Sequence, residues 1–459
     1  MMLNSLPCYM TISGSQRKIM LKEMANPRSV WTSDDGSMAQ ETAKSRWPKL
    51  VQGMIDDVRV TGAELAPSRA LDEMRSIEIS LETLKDEIAG DDQLRPLEED
   101  GSADVASYNQ LLLNMGVLTW LDCPWLYGEC YLYRRVQLLF SMSSSWQGYD
   151  VFKRQKDYTL VKSQKAVQEL AKRVTQVIAN SIQPLQSLDD DAARLVFSEM
   201  TEMALWGNAT DLSLLTNLSL EEIQKLQGSA AIEESQRNIV DNDTSDVWVY
   251  LQKTRLTQKN RHIDIVLDNA GFELFADVLY ATYLIESGLG TSITLHAKCF
   301  PWFVSDVIPS DMDFLLDHLR SIGLTSLASQ IDRYFAVGLM RIEVHSFWTT
   351  AWSFHEVVAV APDLFQRFQD SYLTIWKGDL NYRKLTRDGL WPHTTTFKSS
   401  LGLLGHRSGV KILALRTNKS DTCVGIESEE VVKRLNREAP EMGWVRDGKH
   451  AVISFSDGV

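Results

Sequence analysis

Residues 263 to 279 read Ile-Asp-Ile-Val-Leu-Asp-Asn-Ala-Gly-Phe-Glu-Leu-Phe-Ala-Asp-Val-Leu, and they constrain the fold more than any other stretch. Ile263, Ile265, Val266 and Leu267 make a short apolar run of β-formers, the pattern of a strand buried in a parallel sheet. Asp268 and Asn269 end the run. Ala270 and Gly271 then permit a tight turn, and Phe272, Leu274, Phe275, Val278 and Leu279 recur at helical spacing. Strand, polar pair, glycine turn and helix together form a unit of open α/β sheets, whose ligands bind beyond the carboxyl ends of the strands. Asp268 and Asn269 offer hard oxygens that suit Mg²⁺ or Mn²⁺. Both residue types also commonly cap the helix that follows, and this stretch alone favours the cap.

The same texture extends over residues 246–459. Apolar runs at 263–267, 292–298, 339–344, 372–376, 411–415 and 450–455 predict strands. Amphipathic stretches at 271–287, 310–322, 325–335, 361–369 and 428–437 predict helices. That alternation predicts one doubly wound α/β domain with helices on both faces of its sheet. Before it the periodicity is helical. Trp47, Leu50, Val51, Met54, Ile55 and Val58 share one face, and further helices are expected over 68–88, from Pro124, over 161–181 and over 189–206. A chain of 459 residues exceeds one ordinary core. The expected division is a poorly ordered extension at 1–36, a helical domain at 37–245 whose last part (227–245) is a polar linker, and the α/β domain at 246–459.

Several predicted strands end in polar clusters. Besides Asp268 and Asn269 these are Cys299-Phe-Pro-Trp-Phe-Val-Ser-Asp306, Lys377-Gly-Asp-Leu-Asn-Tyr-Arg-Lys-Leu385 and Arg416-Thr-Asn-Lys-Ser-Asp421. In a parallel sheet they share one edge and can converge. Asp268, Asn269 and Asp306 would suit a divalent cation, which polarises a phosphoryl oxygen. Lys419, Arg383 and Arg416 would neutralise phosphate oxygens. Each has a plainer reading: Asp306 as a cap for a helix near Ser310, Asp379 with Asn381 as an Asx-turn, Tyr382 as packing. Lys384, Arg387 and Lys411 read as solvated surface charges. His296, inside a strand, reads as a core residue. No metalloprotease, serine-hydrolase, P-loop or dinucleotide glycine motif is found.

A net charge of −14 argues against non-specific nucleic-acid binding and against anionic membrane as partners. The five cysteines are scattered, without a CxxC pair, which favours reduced thiols and a cytoplasmic setting. No apolar stretch is long enough to span a bilayer.

Four motifs together, Leu267-Asp-Asn-Ala-Gly-Phe-Glu-Leu274, Pro301-Trp-Phe-Val-Ser-Asp306, Lys377-Gly-Asp-Leu-Asn-Tyr-Arg-Lys-Leu385 and Arg416-Thr-Asn-Lys419, resemble the metal-dependent damage-control phosphatases, long called domain of unknown function 89. The last matches the Arg-Thr-x-Lys signature of the sugar-phosphate phosphatase subfamily. Pro124-Trp-Leu-Tyr-Gly-Glu-Cys-Tyr-Leu-Tyr-Arg-Arg135 and Trp206-Gly-Asn-Ala-Thr-Asp-Leu-Ser213 are also similar to it, and the resemblance runs over roughly 38–459. It implies a helical bundle domain packed on a three-layer αβα, Rossmann-like domain. It implies Mn²⁺, with Co²⁺, Ni²⁺ or Mg²⁺ as substitutes, and hydrolysis of phosphomonoesters such as fructose 1-phosphate or fructose 6-phosphate. By position Asp268, Asn269 and Asp306 match the metal ligands. Asp379, Leu380, Asn381, Tyr382 and Arg383 match a substrate-binding loop, and Lys419 matches the phosphate-contacting lysine. Glu129, Asn208 and Asp211 fall in matching stretches without an assigned role. The nucleophile is a water or an aspartate, Asp268 or Asp306. A glycine-rich turn at Gly402, Gly405, His406, Arg407 and Gly409 departs from the family pattern and is expected at the rim of the site.

Two other functions fit an α/β sheet. One is an S-adenosylmethionine-dependent protein carboxyl (glutamate) O-methyltransferase, against which stands the single glycine in Asp268-Asn-Ala-Gly271. The other is a non-catalytic binding protein, against which stands the intact polar set.

Overall fold

The computed structural model describes residues 27–181, 190–207, 237–255 and 257–459. Its centre is a seven-stranded sheet in the order β1-β7-β6-β5-β2-β3-β4. The strands are β1 Ile239–Asn242, β2 His262–Val266, β3 Ser292–Ala297, β4 Met340–Val344, β5 Leu373–Lys377, β6 Ile412–Thr417 and β7 Ala451–Ser456. From β4 to β6 every neighbouring pair is parallel. β7 runs antiparallel to β6 and carries β1 parallel to itself on the outer side. The sheet is therefore mixed where a wholly parallel one is the simplest expectation. The polar ends of β2, β3, β5 and β6 nevertheless share one edge, because those four strands point the same way.

Alternation along the strands feeds two cores. Ile263, Ile265, Ile293, Leu295, Leu373, Ile375, Leu413 and Leu415 pack with the helices Gln164–Ser181, Asp190–Trp206, Phe272–Glu286, Pro309–Ser321 and Thr325–Ala336. Val266, Trp376, Ile412, Ala414 and Val452 point the other way, into a core with Trp348, Phe354, Phe368, Leu401 and Trp444. A third core joins the helices Trp47–Ala63, Arg69–Ala89 and Trp125–Ser141, and Trp302 and Leu380 from the sheet region enter it. On Trp47–Ala63 the buried side is Trp47, Val51, Met54, Ile55 and Val58, as the 3.6-residue spacing requires.

Three expected boundaries shift. β1 lies inside the stretch read as a linker at 227–245, of which 227–236 falls outside the described residues. Four residues, two of them acidic or amide, are too few to display strand alternation. The helices Gln164–Ser181 and Asp190–Trp206, expected within the domain at 37–245, bury Leu170, Val174, Phe197 and Met200 against the sheet. Residues 1–26 of the expected extension lie outside the described residues, but from 27 onward the chain is packed. Val30 is 1% exposed, Ser29 and Trp31 bridge to Gly389 and Pro124, and the Cys123 N–H donates to Thr32 Oγ1 at 3.0 Å.

Candidate active site

Beyond β2 the chain turns at Gly271, whose φ of +75° is open to glycine at little cost. Gly271 occupies the N-cap of the helix Phe272–Glu286, and that cap has no side-chain hydrogen bond. The N-cap position that the sequence alone assigns to Asp268 or Asn269 is thus taken by Gly271. Asn269 Nδ2 donates to Asp268 Oδ2 at 2.6 Å and to Glu273 Oε2 at 2.8 Å. Glu273 is itself buried.

The loop after β3 folds onto this turn. The Val307 N–H donates to the Asp268 carbonyl at 2.8 Å, the Ala270 N–H to the Ser305 carbonyl at 2.6 Å, and Ser305 Oγ to Asn269 Oδ1 at 2.5 Å. To make this approach the loop takes positive φ at Phe303 (44°) and Val304 (68°). A β-branched residue there is strained, and such strain collects at functional sites. Phe303 is held by stacking on Tyr133 of the helix Trp125–Ser141, ring centres 4.7 Å apart. Asp306 stands at the end of this loop, 2% exposed, with Lys298 Nζ 3.1 Å from Oδ2. It is not a cap either, because the next helix is capped by Asp311, which accepts from the Ile308 N–H at 2.8 Å.

Both carboxyls are held in an unfavourable place for charge. Burial, then the charges of Glu273 and Asp306, push Asp268 well above the usual carboxylate range, against Lys298 and Lys419. Burial pushes Asp306 up to about 6, against the pull of Lys298.

β5 supplies the floor. Gly378 has φ +81°, and a Cβ there would fall 1.9 Å from Asp268 Oδ2, so only glycine permits this approach. Residues Gly378–Leu385 form a helix rather than the expected loop. Asp379 Oδ1 accepts from Arg416 Nε at 2.7 Å, from the Lys419 N–H at 3.1 Å and from Ser420 Oγ at 3.0 Å, which replaces the Asx-turn reading. Burial raises the Asp379 carboxyl, but Arg416 and then Arg383 outweigh it and hold the group below its usual value. Asn381 Nδ2 donates to the Lys377 carbonyl at 2.8 Å, and its buried Oδ1 has no hydrogen-bond donor. Leu380 packs into the N-terminal core.

Other expectations are corrected by burial. Arg383 pairs with Asp388 through two bonds of 3.0 and 2.9 Å and with Glu129 at 2.7 Å, and lies on the Trp125 ring. Its guanidinium joins the helix Trp125–Ser141 to the helix Gly378–Leu385, and Glu129 thereby acquires a role. Arg416, fully buried, spends its donors on Asp379, Ser420 and the Thr422 carbonyl over the Tyr382 ring. Tyr382 stacks on Phe397 and accepts from the Val424 N–H, so it packs. Lys384 is no surface charge: it is buried, with Nζ donating to the Thr350 carbonyl at 2.6 Å. The turn at 402–409 precedes β6, and the Gly409 N–H donates to the Gly458 carbonyl beyond β7. It therefore sits at the opposite edge of the sheet from Lys419, not at the rim. His296 is a core residue, with Nε2 2.7 Å from Asp264. Asn208 and Asp211 lie outside the described residues.

Sequence reasoning missed Glu273, Lys298 and Lys377. Lys298 and Lys377 each close an apolar strand-forming run, and a lysine that ends a buried strand is the signal that would have found them. Among the described residues no group of three or more His, Cys, Asp or Glu side chains is gathered to hold a metal. The oxygen donors here are two carboxylates supplemented by carboxamides. Buried carboxyls with disfavoured charge and the donorless Asn381 Oδ1 fit a hard divalent cation.

The family model described as the damage-control phosphatase ARMT1-like domain matches residues 42–435. The chain belongs to this family and is a phosphatase. Its relatives include the damage-control phosphatase ARMT1 of Danio rerio, 32% identical over 451 residues, covering 94% of this chain and 98% of the relative. The Mus musculus protein of the same name is 31% identical over 447 residues, with the same coverage. The Homo sapiens one is 30% identical over 446 residues, again covering 94% and 98%. A solved structure of a DUF89 family protein from Pyrococcus horikoshii covers 90% of this chain and 97% of its own, at 14% identity and a TM-score of 0.38, too remote a likeness to argue from.

Proposed function

We propose that this phosphatase is metal-dependent and hydrolyses small sugar phosphates of the fructose 1-phosphate or fructose 6-phosphate kind, removing phosphorylated metabolites that accumulate as damage. The observation that carries the reading is the burial of Asp268 and Asp306 at one sheet edge, their carboxyls driven up by burial with Lys298 beside them. Asp268, Asn269 and Asp306 would hold the cation, Mn²⁺ foremost, with Co²⁺, Ni²⁺ or Mg²⁺ as substitutes. When bound, it would polarise a phosphoryl oxygen and ease attack at phosphorus. Lys419 would neutralise a phosphate oxygen, its backbone fixed by Asp379. The helix Gly378–Leu385 would face the sugar, with Asp379 and Asn381 as its polar groups and with Leu380, Tyr382 and Arg383 holding it in place. Asp268 or Asp306 serves as nucleophile, or orients a water that does.

The cytoplasmic setting rests on free, buried Cys123, Cys130 and Cys423. No described helix is long and apolar enough to cross a membrane. The methyltransferase alternative is not favoured, since the relatives carry the phosphatase name and the β2 turn holds one glycine.

The test is phosphate release from a panel of sugar phosphates with Mn²⁺, with Mg²⁺ and after chelation. Release is expected with metal, to be strongest for fructose phosphates, and to vanish in Asp268→Ala. Undiminished release after chelation, or turnover retained in that variant, would overturn the reading.

A further inference from the structure

Glu273 takes no part in the chemistry above, yet it is a buried carboxylate beside it, 3% exposed. An acidic residue in the first turn of a helix is ordinarily a surface complement to the helix dipole. That reading accounts for neither its burial nor its partners. Oε2 accepts from Asn269 Nδ2 at 2.8 Å. Oε1 lies 3.2 Å from Lys377 Nζ. Lys377 is buried at the end of β5. It also lies 2.8 Å from Asp277 Oδ1 and donates to the Ala204 carbonyl. Burial disfavours the ammonium, but Asp277 and Glu273 outweigh it and keep Lys377 charged. A charged lysine, fixed from three sides, thus fixes Glu273, and Glu273 fixes the amide of Asn269.

An asparagine amide has two orientations that differ only in which end carries the oxygen. Here Nδ2 faces two carboxylate oxygens, those of Asp268 and Glu273, and Oδ1 receives Ser305 Oγ. The reverse orientation would set Oδ1 against both carboxylates and turn Nδ2 onto Ser305 Oγ. An amide nitrogen carries no lone pair for a cation, so the orientation decides whether Asn269 can ligate at all.

We propose that Glu273, pinned by Lys377, is a positioning residue that fixes the side-chain amide of Asn269 so that its oxygen, and not its nitrogen, is the end that would be open to a cation. The inference rests on the metal-dependent reading above. Partners of this kind typically change metal affinity by about 10- to 100-fold when removed.

The test is Mn²⁺ binding to the full chain by calorimetry, with circular dichroism and thermal melts as the check on folding. Glu273→Gln keeps the shape and leaves Lys377 its bonds to Asp277 and Ala204, so the ammonium retains a partner. Glu273→Asp keeps the charge but shortens the reach. Both variants are expected to be folded and to bind Mn²⁺ about 10- to 100-fold more weakly, with activity recovered by raising Mn²⁺. In an Asn269→Ala background the Glu273→Gln change should cost no further affinity, because there is no amide left to orient. Glu273→Asp binding like the wild type would reduce Glu273 to a nearby charge and overturn the inference. So would equal losses in the two backgrounds, which also settles the matter if one single variant fails to fold. Wild-type protein that binds no Mn²⁺ would instead sink the metal reading, and this inference with it.

Discussion

The two halves of the sheet edge are electrically unlike. At the ends of β2 and β3, Asp268 and Asp306 are buried where their charge is disfavoured, and both carboxyls are pushed up. At the ends of β5 and β6, Asp379 is partly buried, and Arg416 and Arg383 draw its carboxyl down. There Arg383 and Arg416 have every neighbour they need within the fold. In the first half the carboxyl charge is left disfavoured by its surroundings, whereas in the second the Asp379 charge is matched by arginines of the fold. Gly378 is the seam, its backbone pressed against Asp268. Charge that looks catalytic in a motif thus divides into charge that waits and charge that braces.

The largest effect should come from Asp268→Asn. On the proposed reading Asp268 would bind the cation, and losing such a group removes several kcal/mol of transition-state stabilisation, so turnover should fall by about 10³-fold or more. Because the carboxyl is disfavoured where it stands, urea melts should show stability unchanged or raised. A variant that keeps its activity, or that unfolds, would erase the contrast. Arg416→Met probes the other half with the opposite signature. It strands Asp379 without its guanidinium, and breaking a buried pair costs about 3–5 kcal/mol of stability. A melt indistinguishable from wild type would mean that the second half is not braced by charge.

His355 tests the brace by pH. It lies behind the helix Gly378–Leu385, with Nε2 2.7 Å from the Leu385 carbonyl, and burial, aided by Arg387, lowers it to about 4. The unfolded chain takes up this proton near pH 6.5, and the folded protein only near 4. Stability should therefore fall as pH drops through that window, by up to about 3 kcal/mol. In His355→Gln the slope should flatten, and an unaltered slope would assign it elsewhere. The smallest effect sharpens the first half. Mn²⁺ at about 100 times its dissociation constant should add about 2.7 kcal/mol to wild-type stability, and nothing to Asp268→Ala.

Much of this was legible in the sequence. Six strands fall within two residues of their expected positions; β2 and β5 do so because their apolar runs are buried on both faces and end in polar turns, whereas the edge strand β4 is largely half-buried or exposed. β1 was not legible, since Ile239-Val-Asp-Asn242 gains its strand character from pairing with β7. Residues 379–383 read as a loop because their apolar contacts, Leu380 into one core and Tyr382 into another, follow from tertiary packing and not from a period. Lys384 and Arg383 read as surface or ligand charges because a sequence cannot display the carbonyls and carboxylates that enclose them. Asp268 and Asn269 stand out in the sequence by their place after a strand, and the N-cap position that offered their plainer reading is taken by Gly271.

The antiparallel β7 has a consequence for how the molecule is assembled. β7 is the last strand in chain order, yet it lies between β1 and β6. While the chain is being synthesised, β2 to β6 can pair in turn, but β1, made before any of them, has no neighbour until residues 451–456 leave the ribosome. Closure of the sheet is thus a late event that reaches back over some two hundred residues, and such long-range pairing is slow. The same late strand brings the Gly448 N–H to the Asn418 carbonyl and places Gly448 beside Lys419. The surroundings of Lys419 thus depend on the segment that leads into β7, so the β6 end of the sheet edge is complete only once that strand has paired.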